Sequence, residues 1–304
     1  MIHSSPPLNI WLFTDNKPGH KNQLDGLLKA MEKITPVSAT WIDISNTEHS
    51  FFNISQQLLK SKNQIDWCIG AGHKTHIFLL LGKLLAKARS IVLMKPSLPL
   101  SLFDRVIIPE HDGHFSSANV IQSTGVINKI QTSTKHDKRK GLFLIGGPSK
   151  HYDWDSETII QQIESISQQQ PEIHWQLTTS RRTPADFIQQ LQNKNLHIQI
   201  IPHTETDSQW LPEVLATAGQ VWVSADSVSM LYEALTSGAK VGLLNVPSLQ
   251  KSRVQQGIDK LVDNKKIVDF NQWRSNPVMP ENNSPLNEAE RIARLILQHF
   301  NNES

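Results

Sequence analysis

Residues able to move a proton or hold an anion fall in five short segments, each where an apolar run gives way to a polar turn. Thr14-Asp15-Asn16-Lys17-Pro18-Gly19-His20 is the first. A neutral imidazole at His20 can take a proton from an acceptor hydroxyl, and Asp15 can orient that imidazole or serve as the base itself. Gly19 allows a tight turn ahead of a helix, whose first N–H groups lack partners and attract anions. A polar loop with an ordinary capping role explains the same residues, because neither a Walker motif nor a full dinucleotide fingerprint is present.

Gly70-Ala71-Gly72-His73-Lys74-Thr75-His76 repeats the glycine turn. His73 and His76 have a spacing that suits a metal, yet no carboxylate or cysteine stands near them in sequence. The expectation is a loop lining a ligand cleft, with no metal. Glu110-His111-Asp112 offers reserve bases or plain turn chemistry. In the third segment, Gly146-Gly147 lets a phosphate approach the backbone at Gly147, or makes a tight turn. The fourth places Arg181 and Arg182 just ahead of a helix that begins near Pro184. A guanidinium fork suits phosphate, and adjacent side chains diverge, so one arginine meets ligand while the other holds an ion pair.

The fifth segment, 221–243, reads as strand, hydroxyl-rich turn, helix, glycine stop and strand. Asp226 is the expected N-cap, either as a cap alone or also as a substrate contact, with Ser227 and Ser229 adding donors in the first turn. Val228, Leu231 and Leu235 give the helix its buried side, and Gly238 closes it. Glu233 is a lone carboxylate among small and apolar neighbours, suited to accept from a ribose hydroxyl. Seven positions separate it from Asp226, which predicts that both project along one side of the helix.

Alternating strands and helices must position these segments. Strands are expected over 8–14, 39–42, 66–70, 91–94 and 105–108, with a helix over 22–33 that turns Leu24, Leu27, Leu28 and Met31 to one face. The polar, basic stretch 131–140 reads as a linker. Beyond it the pattern restarts, with strands over 141–145, 174–178, 197–201, 220–224 and 240–243 and a helix over 158–168. Residues 271–285, rich in Asn and Pro, read as a loop. A final amphipathic helix presents Ile292, Leu295, Ile296 and Phe300 and is free to cross back to the first domain. The fold class is therefore α/β: two Rossmann-like doubly wound domains, 1–134 and 135–285, facing a cleft at their carboxyl strand ends, plus a C-terminal helix in 286–304.

A net charge of +2 over 304 residues makes no electrostatic case for nucleic acid. Cys68 is the sole cysteine, sits in an apolar run and reads as a core thiol. Met1–Pro7 shows no basic stretch leading into an apolar one, so export is not expected. The run 77–86 is interrupted by Lys83 and is too short to span a bilayer; a buried amphipathic helix or contact with a membrane surface both suit it. The expected placement is cytoplasmic, with peripheral contact at the inner membrane face as the open alternative.

The chain resembles the mitochondrial fission Elm family through Asn-Lys-Pro-Gly-His-Lys-Asn-Gln at 16–23, Gly-Ala-Gly-His at 70–73, Thr-Ser-Arg-Arg-Thr-Pro at 179–184 and Ser-Ala-Asp-Ser-Val-Ser-Met-Leu-Tyr-Glu-Ala at 224–234. More distantly it resembles GT-B glycosyltransferases, in which a glycine loop ending in His follows the first strand and a helical Glu precedes a Gly by five positions. Gly19-His20 and Glu233 with Gly238 match that order, although Lys17-Pro18 stand where the loop of those enzymes is richer in glycine. The resemblance implies a metal-independent glycosyltransferase that needs no cofactor beyond its nucleotide-diphosphate-sugar donor. Glu233 would hold the ribose. Ser227, Ser229, Gly147 and Arg181 or Arg182 would meet the diphosphate, and His20 or Asp15 would deprotonate an acceptor such as a glycolipid. Two alternatives are a non-catalytic interaction protein of the Elm family and a nucleotide-sugar epimerase.

Overall fold

In the computed structural model, residues 6–46, 50–249 and 252–301 are described, without the side chains of 299–301. Met1–Pro7 and Phe300 in the expectations above therefore lie wholly or partly outside the described residues. In chain order the elements are β1 (Leu8–Thr14), α1 (Pro18–Glu32), β2 (Val37–Asp43), α2 (Phe51–Lys60), β3 (Trp67–Ala71), α3 (His76–Leu81), β4 (Arg89–Leu93), β5 (Arg105–Pro109) and β6 (Val120–Ser123). There follow β7 (Asp137–Leu144), α4 (Ser156–Gln169), β8 (His174–Thr178), α5 (Phe187–Gln192), β9 (Ile198–Ile201), α6 (Trp210–Leu215) and β10 (Ala218–Ser224). The chain closes with α7 (Val228–Ser237), β11 (Lys240–Leu244), α8 (Arg253–Asp263), β12 (Val268–Asp269), α9 (Phe270–Ser275) and α10 (Glu288–Asn301). They form two units, Met1–Lys129 with Glu288–Ser304 and Ile130–Asn287.

The first unit holds a six-stranded sheet in the order β2-β1-β3-β4-β5-β6, with every pairing parallel. A parallel sheet is covered on both faces, so its strands are apolar throughout. In β1, Ile10 and Leu12 pack against Leu24, Leu27 and Met31 of α1, while Trp11 and Phe13 face Ile54 and Leu58 of α2. The i, i+3, i+4, i+7 spacing in α1 makes this stripe, and Pro18 sits in its first turn, where a missing N–H costs nothing. The C-terminal helix α10 returns to this unit and lays Ile292, Ala293 and Ile296 into the same core. Leu295, expected on that apolar side, is 39% exposed. It lies about 130° round the helix from the middle of the buried stripe.

The second unit has the order β12-β11-β10-β7-β8-β9, again parallel throughout. Phe143 stacks on Trp175 and Trp222 meets Trp273 edge-on at its centre. The linker expected over 131–140 is largely part of this unit. β7 begins at Asp137, and His136 lies between the carbonyls of Ala218 and Ser237. Lys138, Arg139 and Lys140 turn their side chains to solvent while the strand continues, which hides it from a search for apolar residues. The loop expected over 271–285 likewise starts as helix α9, capped by Asp269 and anchored by buried Phe270 and Trp273. Strand β6 carried no signal, being four residues long with only Ser123 buried.

Candidate functional site

In the first sheet, strand order reverses between β1 and β3, and such a reversal leaves an open crevice at the carboxyl ends of the strands. Two of the chemical segments end there. Asp15 follows β1, and Asn16 takes a left-handed conformation that turns the chain into α1. His20, in the first turn of α1, places its Nδ1 2.7 Å from Asp15 Oδ1. The imidazole rests against Gly72, just past β3. A Cβ there would stand 2.4 Å from its Cε1, and φ at Gly72 is +88°, so glycine meets both the steric and the backbone demand.

Asp15 accepts from Nδ1–H of His20, which leaves the lone pair on Nε2, the arrangement of a general base. Burial pushes the Asp15 carboxyl up, but the hydrogen bond and charge of His20, with the Lys17 N–H and ammonium, outweigh it and leave it below its ordinary value. Its Oδ2 has no hydrogen-bond partner and stands 3.6 Å from Lys17 Nζ. Gly19 departs from expectation. It lies inside α1, not in a turn, and a Cβ on it would meet nothing within 4 Å. Lys17 gives α1 no side-chain cap, so the N-terminal N–H groups beside this open space are not screened by a cap.

His73 is exposed, whereas His76 is buried edge-on to Phe103 with Ser97 beside its Nδ1. Burial, then the charge of His73, lowers the His76 pKa. His76 is thus a core residue, and no group of three or more metal-ligating side chains gathers among the described residues. His111 and Asp112 sit in a short turn after β5, 3.9 Å apart.

In the second sheet the reversal falls between β7 and β10. Gly146 and Gly147 leave β7 there, and Asp226 leaves β10. The Gly146 N–H donates to Ser224 Oγ and the Gly147 N–H to Asp226 Oδ2, at 2.7 and 2.9 Å. Neither N–H is open to a phosphate. A Cβ on Gly146 would stand 2.1 Å from Asp226 Oδ2, and one on Gly147 would stand 2.1 Å from the Arg182 carbonyl oxygen. These glycines are small because loops press on them, and the phosphate contact expected of Gly147 has no donor.

Arg182 is the clamp of this cluster. Its guanidinium donates to the Gly147 and Pro148 carbonyls and pairs with Asp226 at 2.7 Å. Asp226 is therefore not the N-cap of α7. That position belongs to Ser227, which makes no side-chain cap, and helical geometry starts only at Val228. The Asp226 side chain is fully buried, and its Oδ1 has no hydrogen-bond partner. Pairing with Arg182 neutralises it beside an uncapped helix N-terminus, so it does not repel an anion there. Arg181, the exposed neighbour, is left as the arginine free of this clamp.

Because Asp226 lies outside the helix, Glu233 shares its face with Ser229, one turn away, and not with Asp226. Glu233 is buried and Ser229 exposed, so this face runs from solvent into the unit. Gly238 ends α7 with φ +95°, as its position in the sequence demands. Sequence reasoning missed Ser224, Ser180 and Thr183. The two hydroxyls of the Ser180–Thr183 turn hold the Gly146 carbonyl. It also missed Tyr152, which donates to Gln255 and whose pKa is pushed up to about 12 by burial and then by the charges of Asp226 and Asp259. The Ser-rich wording around 180 and 224 was the one available signal.

Thus Asp15, His20 and Gly72 meet in the first unit, and Gly147, Arg182, Asp226 and Ser227 in the second. Arg181 stays at the periphery of the second group. The fold is that of GT-B proteins, two Rossmann-like units each with a parallel sheet. The UDP-GlcNAc 2-epimerase from Methanocaldococcus jannaschii is similar with a TM-score of 0.58 at 12% identity, over 96% of this chain and 100% of that one. MurG from Acinetobacter baumannii is similar with a TM-score of 0.53 at 11% identity, over 96% and 100%. In sequence, the uncharacterized protein RP120 of Rickettsia prowazekii (strain Madrid E) is 24% identical over 349 positions, covering 95% of this chain and 98% of the relative. A sequence profile described as Mitochondrial fission ELM1 matches residues 18–300, and the chain belongs to that family.

Proposed function

We propose that the protein is an enzyme acting on a nucleotide-diphosphate sugar, with bond breaking between the anomeric carbon and the diphosphate oxygen. The observation that carries this reading is the His20–Asp15 pair, 2.7 Å apart with Nε2 free, at the strand-order reversal of the first sheet. The uncapped α7 terminus with Ser227 and Ser229 supports a diphosphate site, Arg181 supplies a positive charge, and Glu233 accepts from the ribose. In a transferase, an acceptor hydroxyl attacks the anomeric carbon, its proton passes to His20 Nε2, and the nucleoside diphosphate leaves with the bonding pair. Donors preorganised around the departing diphosphate would stabilise its growing charge.

A second reading, epimerisation of the sugar, is supported by the fold shared with the Methanocaldococcus epimerase. The base would then take a proton from the sugar ring as the diphosphate departs. Return of a proton on the opposite face, with re-addition of the diphosphate, completes the balance.

Calorimetry against UDP-, GDP-, ADP- and CMP-sugars tests the shared step. One of them should bind, and Glu233→Ala should weaken it about tenfold or more. His20→Ala should keep donor affinity and lower turnover roughly 10²- to 10⁴-fold. Turnover without any acceptor identifies the epimerase, and turnover only with an acceptor identifies the transferase. No binding across the panel, with Glu233→Ala unchanged, leaves a non-catalytic interaction protein.

A further inference from the structure

Two helices of the first unit expose large apolar side chains that a buried pair would cover. On α2, Phe51, Phe52 and Leu59 are 55%, 68% and 58% exposed. On α3 and the π-helical turn that continues it (Gly82–Ala86), Ile77 and Leu84 are 48% and 66% exposed. The two helices lie side by side. The Phe51 ring is 6.2 Å from that of Phe78, and Gly82 packs over Leu58 and Cys68. Their inner residues, Ile54, Leu58 and Leu79, join the core of the unit, so the exposed set is a second, outward apolar face. Leu102, 40% exposed, extends it, since its carbonyl accepts from Lys83.

The charge around this face is one-sided. Residues 50–65 and 73–90 contain five lysines and one arginine and no Asp or Glu, in a chain that as a whole is nearly balanced at 30 basic and 28 acidic residues. Lys83 is paired with Asp104. Lys60, Lys62, Lys74 and Lys87 are exposed and have no ion-pair partner among the described residues. Phenyl and leucyl groups on one side with lysines beside them match the pattern of helices that lie in the plane of a membrane interface. A symmetric contact between two copies would bring the same lysines face to face, which disfavours self-association through this surface.

We infer that the α2–α3 face docks the protein onto an anionic bilayer surface, with Phe52, Leu59, Ile77 and Leu84 entering the headgroup boundary and the four free lysines meeting acidic headgroups. This goes beyond the reaction proposed above and stands or falls separately from it.

Flotation of the full chain with vesicles tests it. Vesicles of phosphatidylcholine with about 40% phosphatidylglycerol should carry the protein upward, and pure phosphatidylcholine should not. Raising salt from about 0.1 to about 0.5 M should release most of it. Phe52→Glu with Leu84→Glu should abolish flotation, and Lys60→Glu, Lys62→Glu and Lys74→Glu together should reduce it about tenfold or more. All five positions are exposed, and unchanged thermal unfolding of the variants confirms the fold. Failure of the wild type to float, equal flotation with both vesicle types, or flotation of either variant like the wild type overturns the inference. So does a concentration-dependent dimer that Leu84→Glu disperses, because the face would then belong to a second copy, and so does capture only by an acidic protein partner without vesicle binding.

Discussion

At the scale of single residues, the candidate base rests on three side-chain facts: an aspartate, an imidazole and a missing Cβ. Asp15 holds the proton of His20 on Nδ1. Asp15→Asn removes that preference, and ¹⁵N shifts of the imidazole should show the Nδ1–H tautomer in the wild type and its loss in the variant. Gly72→Ala would strain a φ of +88° and drive a methyl into the ring 2.4 Å away. Turnover should fall with Asp15→Asn and Gly72→Ala alike, by about 10²-fold or more, while the fold survives.

The same pair makes a pH prediction. The folded Asp15 pKa lies below its ordinary 3.8, so the contribution to stability is present above that value and is lost as pH falls beneath it. Melting temperature followed from pH 5 toward pH 2 should drop less steeply in Asp15→Asn. Some slope persists, because Asp104 is also held low, despite burial, by hydrogen bonds from Lys83 and Ser90. His20 and Asp15 were legible in sequence because five positions across one turn constrain them locally. Gly72 was seen only as loop glycine, since its partner is 52 positions away.

At the scale of elements, loops at the ends of β7, β8 and β10 are tied by one arginine. Arg182→Ala leaves the fully buried Asp226 carboxylate without its ion-pair partner. Denaturant unfolding should register a loss of about 2–3 kcal/mol, less than for a fully buried pair because the Arg182 side chain is 40% exposed. Adding Asp226→Asn should recover part of it, which separates an ion-pair effect from a general packing effect. The strand over 8–14 was readable from its apolar run Ile10–Phe13, and that over 174–178 from the alternation of Trp175 and Leu177 with polar residues. Residues 137–140 were not, because exposed Lys and Arg side chains mask a backbone that pairs on both sides. The α7 cap was misassigned for a related reason. Asp is a good cap by type, but here its carboxylate is drawn to Gly147 and Arg182.

At the scale of the whole molecule, the first unit is discontinuous in sequence. It is completed by α10, which supplies Ile292, Ala293 and Ile296 to a core built by α1 and the first sheet. A chain ending at Asn287 should lose the calorimetric transition of the first unit or shift it far down in temperature. The transition of the second unit, whose core contains no residue beyond Leu286, should persist. Equal destabilisation of both transitions would show that the two units unfold as one.

The amino-acid sequence by itself determined the alternation of strands and helices, the polar turns at the strand ends and the helix stop at Gly238. These depend on periodicity and backbone preference within a few residues. Only the tertiary structure decided which turns meet. Asp226 reaches Gly147 across 79 positions and Arg182 across 44, and strand order, not local pattern, chooses those contacts. Placing β10 beside β7 converts an expected helix cap into half of a buried ion pair, and it leaves α7 without a side-chain cap.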